Sequence, residues 1–229
     1  MQIFVDSANL KEIEHWLRQG VVDGVTTNPT IMLKDGVYDI EDRARHLCEL
    51  LSDRPVSVEV TTNDPKEMLE QARTFAGWAR NIIVKIPVIT EDGESCLETV
   101  NTLVREDIAV NCTALLSFNQ AVLAAKAGAT YVSLFAGRIA DEGGDPSLVI
   151  RNVRDWLDTW QMPARIIVGS IRSTLDVQNA ALAGAHIVTV PPQFLAKMID
   201  HRYTRETVRQ FNQDAEKAML QIRKTQNVA

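Results

Sequence analysis

The stretch AAKAGATYVSLF, residues 124 to 135, decides the fold. Its first half reads as helix and its second half as an apolar strand, with Gly128 between them. A glycine there lets a helix end in the left-handed conformation without the steric penalty of a Cβ. A helix that stops at glycine and passes straight into a strand is one step of an alternating α/β chain. The same step returns 56 residues later in ALAGAHIVTV, residues 181 to 190, where Gly184 takes the place of Gly128. That interval has the length of two strand–helix units, and it is the internal echo of the chain.

Working outward, eight strand candidates appear: QIFVD (2–6), DGVTT (23–27), VSVEV (56–60), IIVKI (82–86), IAVNCT (108–113), TYVSLF (130–135), RIIVG (165–169) and HIVTV (186–190). Most are continuous apolar runs, as expected of parallel strands covered on both faces. The helices between them have readable starts. Asn9 with Glu12, Asp64 with Pro65 and Glu67, and Ser173 with Asp176 all have N-cap spacing. Eight strands with intervening helices predict a (β/α)8 TIM barrel, compact beside the roughly 250 residues typical of that fold. The competing architecture, an open doubly wound sheet, lacks its G-x-G-x-x-G fingerprint. An additional amphipathic helix is expected at about 203–223, with Val208, Phe211, Ala215, Ala218 and Met219 on one stripe. It would pack on the barrel or on a neighbouring subunit.

Composition narrows the function classes. The 229 residues are 45% hydrophobic, enough for one core and one domain over 1–229. Thirty acidic residues against 24 basic give a net charge of −6, which disfavours a nucleic-acid partner needing a basic surface. The cysteines, Cys48, Cys96 and Cys112, are odd in number and widely spaced, and they read as small buried hydrophobes in a reducing compartment. The start MQIFVDSANL has no basic n-region, and no apolar run approaches the ~18 residues of a membrane span. The expectation is a soluble, cytoplasmic protein with no membrane partner.

The functional signal lies in polar residues at strand ends, which face the active-site mouth of a TIM barrel. Strand 1 ends at Asp6, and strand 2 runs into Thr26, Thr27 and Asn28. Strand 3 carries Glu59, strand 4 Lys85, and strand 5 Asn111 and Thr113. Strand 6 presents Ser133 and leads to Arg138, and strand 7 leads into Ser170 and Arg172. Strand 8 alone contributes none on this reading. Each residue has a plainer role when taken singly. Asp6 and Asn28 are suited to capping, Thr113 and Ser133 to local backbone bonding, and Arg138 to a solvated surface. Glu59 and Lys85 would form an ion pair between adjacent strands. Their concentration at one end of consecutive strands argues for a site.

The residue types then point to a chemistry. A lysine among apolar walls loses the hydration of its charged form, and a neutral amine adds to a carbonyl to give a Schiff base. The iminium is an electron sink that permits cleavage of a neighbouring C–C bond. One carboxylate is needed to move protons during imine formation and a second to deprotonate the substrate hydroxyl; Glu59 and Asp6 are available. Arg138 and Arg172 suit a phosphate gripped through paired hydrogen bonds. Ser170 precedes an expected helix start, where backbone N–H groups also favour phosphate.

Set in order, FVDSAN, GVTTNPT, VEV, IIVKIPV, NCTALLSFNQA, AAKAGATYVSLFAGR and GSIRS resemble the motifs of the small class-I transaldolases, a group that includes the fructose-6-phosphate aldolases. The resemblance runs from residue 2 to about 192. It implies a (β/α)8 barrel acting through a lysine Schiff base, without metal or organic cofactor. On it, Lys85 matches the imine-forming lysine and Asp6 the acid/base at the C4 hydroxyl of the donor. Glu59 with Thr113 matches the pair that holds a catalytic water. Asn28, Asn111 and Ser133 match positions that bind the dihydroxyacetone hydroxyls, with Thr26 and Phe135 beside them. Arg138, Ser170 and Arg172 match the phosphate site. The implied partners are a ketose phosphate donor, an aldose phosphate acceptor and further copies of the chain, as a pentamer or decamer.

Two positions bear on the subtype. Glu59 stands where fructose-6-phosphate aldolases typically carry glutamine, and Phe135 where they typically carry tyrosine. Phenylalanine has no hydroxyl to protonate an enamine and release free dihydroxyacetone. Both residues favour a transaldolase. The alternatives are an aldolase using free dihydroxyacetone, a transaldolase of a specialised sugar pathway, and a barrel that only binds sugar phosphates. Leu134, Cys112, Ala114 and the segment TIMLKDG depart from the usual motifs near the substrate, and they leave the acceptor open.

Overall fold

A computed structural model describes residues 1–226, with side chains as far as Arg223. Eight parallel strands close a barrel in chain order: β1 Gln2–Asp6, β2 Gly24–Thr26, β3 Val56–Glu59, β4 Ile82–Pro87, β5 Val110–Leu115, β6 Tyr131–Phe135, β7 Arg165–Gly169 and β8 Ile187–Val190, which returns to pair with β1. Parallel neighbours cannot be joined by a tight turn, so each strand is followed by a helical crossover. These are α1 Leu10–Arg18, α2 Pro29–Lys34 with α3 Ile40–Leu51, α4 Pro65–Ala76, α5 Leu97–Arg105, α6 Phe118–Lys126, α7 Ala136–Asp141 with α8 Pro146–Thr159, and α9 Thr174–Leu182. The expected TIM barrel is the observed fold. The short helices α2 and α7 are insertions directly after β2 and β6.

The barrel occupies one compact unit, Met1–Pro192, and a second unit begins at Gln193. After α10, Pro192–Ile199, the second unit contains α11, a 25-residue helix over Arg202–Gln226 that spans the predicted segment. Among the described residues no helix is long and apolar enough to cross a membrane.

Local chemistry explains the element ends. Asn9 and Asp64 accept backbone N–H bonds from the first turns of α1 and α4, and Ser173 and Asp176 form a full reciprocal capping box on α9. Gly128 and Gly184 lie at φ +100° and +93°, as the two helix-to-strand steps require. β1 and β7 have the bounds expected from the sequence, β3, β4, β6 and β8 differ by one residue at one end, and β2 and β5 differ at both ends. β2 is trimmed to three residues, and β5 begins at Val110 and runs on to Leu115. The run-on is made by Ala114, which turns left-handed at φ +59° where the β5–β6 register shifts between Cys112 and Leu115. All three cysteines are free and buried.

The barrel interior determines where a site can lie. Phe4, Tyr131, Ile167 and Ile187 form one buried apolar cluster, with Ile83 packed against it. Phe4 meets Tyr131 edge to face at 6.2 Å between ring centroids. Gly24 makes room for this plug, since a Cβ there would stand 2.7 Å from the Phe4 ring. Side chains alternate along a strand, so the residues two positions further on point the same way. From Phe4, Gly24, Ile83, Tyr131, Ile167 and Ile187, those residues are Asp6, Thr26, Lys85, Ser133, Gly169 and Thr189.

Candidate active site

All six line one cavity of about 450 Å³ above the plug, together with Asn28, Glu59, Ala114, Phe135, Arg138 and Ser170. The cavity is therefore built by the strand period itself: an apolar layer, then one pleat later a polar layer at the carboxyl end.

Lys85 does not reach out to water. It is 4% exposed, its Nζ donates to the Thr27 carbonyl at 2.9 Å, and it lies 2.8 Å from Glu59 Oε2. Glu59 and Lys85 are direct register partners on β3 and β4, and Asn111 is the partner of Lys85 on β5. Thr27 is itself tied down, since its N–H and hydroxyl both donate to the Ser57 carbonyl, at 2.9 and 2.8 Å. The ion pair weighed from the sequence thus exists, and it opens onto the cavity.

Asp6 sits in a second hydrogen-bonded group. The Thr26 hydroxyl donates to Asp6 Oδ1 at 2.7 Å, and the Thr189 hydroxyl contacts Thr26 Oγ1. Thr26 gives its one proton to Asp6, so Thr189 donates to Thr26. Burial pushes the Asp6 carboxyl above its usual value, against the Thr26 hydrogen bond and the Lys85 charge, while the Glu59 and Asp35 charges add to the rise. Such a carboxylate takes up a proton more readily than an exposed one.

The other predicted residues fall into three groups. Asn28, Ser133, Phe135, Arg138 and Ser170 line the cavity. Asn28 also caps α2, its Oδ1 accepting the Ile31 N–H at 2.8 Å, so one residue both caps a helix and lines the cavity. Asn111 and Thr113 are fully buried in the strand beside Lys85; Asn111 Nδ2 donates to Ser57 Oγ at 3.2 Å. Asn111 Oδ1 and Thr113 Oγ1 have no partner among the described residues. Each such atom carries a desolvation cost of about 1–3 kcal/mol that a ligand group bonding to it would relieve.

Arg172 is placed apart. It lines a neighbouring cavity of about 200 Å³ enclosed by α7, α8 and α9, and its guanidinium is forked onto Asp141. Two N–H groups near the start of α9, those of Arg172 and Ser173, already donate to Asp176 Oδ2 at 2.8 and 2.9 Å. Arg138, by contrast, forms no ion pair among the described residues.

The structure corrects the reading of strand 8, because Thr189 brings a polar group from that strand into the cavity. Its position two residues after the buried Ile187 is the signal that finds it. Backbone strain also concentrates here. Of five non-glycine residues with positive φ among the described residues, Ser52, Asp107 and Gln161 follow helices, where such turns are ordinary. Ala114 and Ser170, both at φ +59°, line the cavity instead. Conformations of this kind persist only when the surroundings hold them, and they cluster at functional sites. Among the described residues no group of three His, Cys, Asp or Glu is placed to hold a metal ion.

Comparison with known proteins bears on the fold and the family. The solved structures most like it include a thiamine phosphate pyrophosphorylase from Pyrococcus furiosus (TM-score 0.57, 11% identity, 83% of this chain and 85% of that one) and the Amycolatopsis orientalis BexX/CysO complex (0.59, 19%, 84% and 80%). At such identities the likeness concerns the barrel alone. Sequence relatives are nearer. Proteins named probable transaldolase from Dehalococcoides mccartyi and Lactiplantibacillus plantarum are 42% and 43% identical over 214 residues, covering 93% of this chain and 97% and 96% of theirs. A probable transaldolase 2 of Listeria monocytogenes is 42% identical over 216 residues, covering 94% of this chain and 96% of its own. Residues 3–228 match the family described as Transaldolase/Fructose-6-phosphate aldolase, and the chain belongs to that family.

Proposed function

We propose that the chain is a transaldolase acting through a Schiff base on Lys85. It would move a dihydroxyacetone unit from a ketose phosphate, such as sedoheptulose 7-phosphate or fructose 6-phosphate, to an aldose phosphate, such as glyceraldehyde 3-phosphate or erythrose 4-phosphate. One observation carries this reading: a buried lysine, ion-paired to Glu59, faces the same cavity as Asp6, whose carboxyl is raised by burial. Glu59 takes a proton from the ammonium, and the neutral amine adds to the C2 carbonyl of the donor. Proton transfer through Glu59, aided by Thr113, expels the carbinolamine oxygen as water and leaves an iminium. Asp6 then removes the C4 hydroxyl proton, the C3–C4 electron pair moves into the iminium, and the aldose phosphate departs. The three-carbon enamine on Lys85 adds to the carbonyl of a second aldose phosphate, and hydrolysis frees the new ketose.

Asn28, Asn111 and Ser133 supply hydrogen bonds for the dihydroxyacetone hydroxyls. Arg138 and Ser170 line the cavity where a phosphate would bind, and Arg172 lies across Gly137 from Ser170, in the neighbouring cavity. Phe135 in the cavity wall supports transfer over release of free dihydroxyacetone, having no hydroxyl to protonate the enamine. The names of the relatives support the same choice. The test is borohydride reduction with fructose 6-phosphate, followed by peptide mass spectrometry. A dihydroxyacetone adduct on Lys85 is expected; no adduct, or one on another lysine, overturns the reading.

A further inference from the structure

Asp141 ends α7 and has no part in the chemistry described so far, yet it takes both terminal nitrogens of Arg172. One carboxylate oxygen accepts from Nη1 and the other from Nη2. This is an end-on fork. A guanidinium has a second edge, made of Nε–H and the remaining N–H of Nη2, which grips an oxyanion in the same bidentate way. The Nε side of Arg172 faces Gly137, where a Cβ would collide with the Ser170 carbonyl oxygen and stand 2.7 Å from both Arg172 Nε and Ser170 Oγ. Gly137 lines the smaller cavity with Arg172, while Ser170 and Arg138 line the larger one. The missing side chain at Gly137 thus lets the Nε edge of Arg172 and the Ser170 hydroxyl approach one point between the two cavities.

We propose that Asp141 is a positioning residue, holding Arg172 by its outer edge so that the Nε edge is presented across Gly137 to a phosphate at Ser170 and Arg138. The proposal rests on the reading of the main cavity as a sugar-phosphate site. The carboxyl is suited to the task. The Arg172 hydrogen bond holds it below the usual carboxylate range, with the Arg172 and Arg138 charges acting in the same direction, so it remains anionic at neutral pH. A simple competitor for Arg172 would instead block the edge that faces the substrate. An exposed ion pair contributes little to stability, so variants of Asp141 are expected to fold.

The experiment compares Asp141→Ala, Asp141→Glu, Arg172→Ala and the Asp141→Ala/Arg172→Ala double variant in transfer from fructose 6-phosphate to erythrose 4-phosphate. Borohydride trapping of unphosphorylated dihydroxyacetone on Lys85 is followed in parallel. Asp141→Ala is expected to raise the KM for fructose 6-phosphate by about tenfold with kcat little changed. Trapping of dihydroxyacetone should be unaffected, Asp141→Glu should recover part of the loss, and the double variant should be no worse than Arg172→Ala. A lowered or unchanged KM in Asp141→Ala, or additive losses in the double variant, overturns the positioning role while leaving the phosphate site intact. An unchanged KM in Arg172→Ala overturns the assignment of Arg172 to phosphate, and the role of Asp141 with it.

Discussion

Lys85 Nζ and Glu59 Oε2 lie 2.8 Å apart on neighbouring strands, with the lysine side chain 5% and the glutamate side chain 21% exposed. So enclosed a pair is a poor device for stability, because desolvating two charges offsets their attraction. Replacing both by apolar or neutral groups of similar shape is often neutral or stabilising, whereas removing one leaves an unpaired charge. Lys85→Met should therefore destabilise the fold, by up to about 3–5 kcal/mol. Lys85→Met combined with Glu59→Gln should recover most of that loss. Urea unfolding of the two variants checks the order, and neither should trap an adduct with borohydride.

Asp6→Asn separates imine formation from bond cleavage. On the proposed mechanism the amine at Lys85 is intact, so the donor should still bind covalently, while the C4 hydroxyl would lose its base. The expected loss in kcat is about 10²–10⁴-fold. Mass spectrometry after reduction should find the intact six-carbon phosphate on Lys85 in place of the three-carbon unit. The acid limb of the parent pH profile should lie above the ordinary aspartate value of 3.8 and disappear in the variant. The folded state holds this proton more tightly than the unfolded chain. Asp6 therefore costs stability as pH rises from 3.8 through its folded value, and Asp6→Asn should be the more stable protein at neutral pH.

Gly24→Ala tests the plug beneath the site. The added methyl meets the ring of the fully buried Phe4 at 2.7 Å, and overpacking of this kind costs about 1–3 kcal/mol. Phe4→Leu in the same chain should relieve the clash. The two changes should then be less than additive in urea unfolding, a coupling expected only of residues in contact.

His186 gives a pH dependence unrelated to the chemistry. Its Nδ1 accepts the Ile166 N–H at 3.0 Å, just before β8. Burial, with the Arg154 and Arg165 charges, pushes its pKa down to about 4 from 6.5. A histidine lowered on folding favours the unfolded chain once that chain protonates. Stability should therefore fall as pH drops from 6.5 towards 4 and level off below. With the ring partly exposed, the loss is on the order of 1 kcal/mol after solvent screening. His186→Asn should flatten that portion of the stability curve relative to the parent.

The barrel is legible in the sequence because parallel strands buried on both faces read as unbroken apolar runs, and because Gly128 and Gly184 mark helix ends in letters only glycine writes well. Less was legible where geometry depends on distant partners. Nothing in the letter alanine announces that Ala114 turns left-handed and carries β5 two residues past its expected end. Thr189 escapes a search for polar residues at strand termini, and appears once the strand is counted in twos from Ile187. Arg172 is easily found as a cation after β7. Which way its guanidinium turns is decided by Asp141, 31 residues earlier in the chain.

The pleat that sets Lys85 one step above Ile83 has a last consequence. Lys85 is flanked by Val84 and Ile86, both with no exposed surface. A slip of β4 by one residue would turn a branched aliphatic into the cavity and the amine out beneath the helices. A chain threaded in that way would hold no lysine amine in the cavity, however compact it is. On the proposed Schiff-base mechanism, titrating a refolded sample to completion with donor and borohydride should therefore report the correctly threaded fraction. The fraction labelled is a gauge of strand registry that no spectroscopic unfolding curve provides.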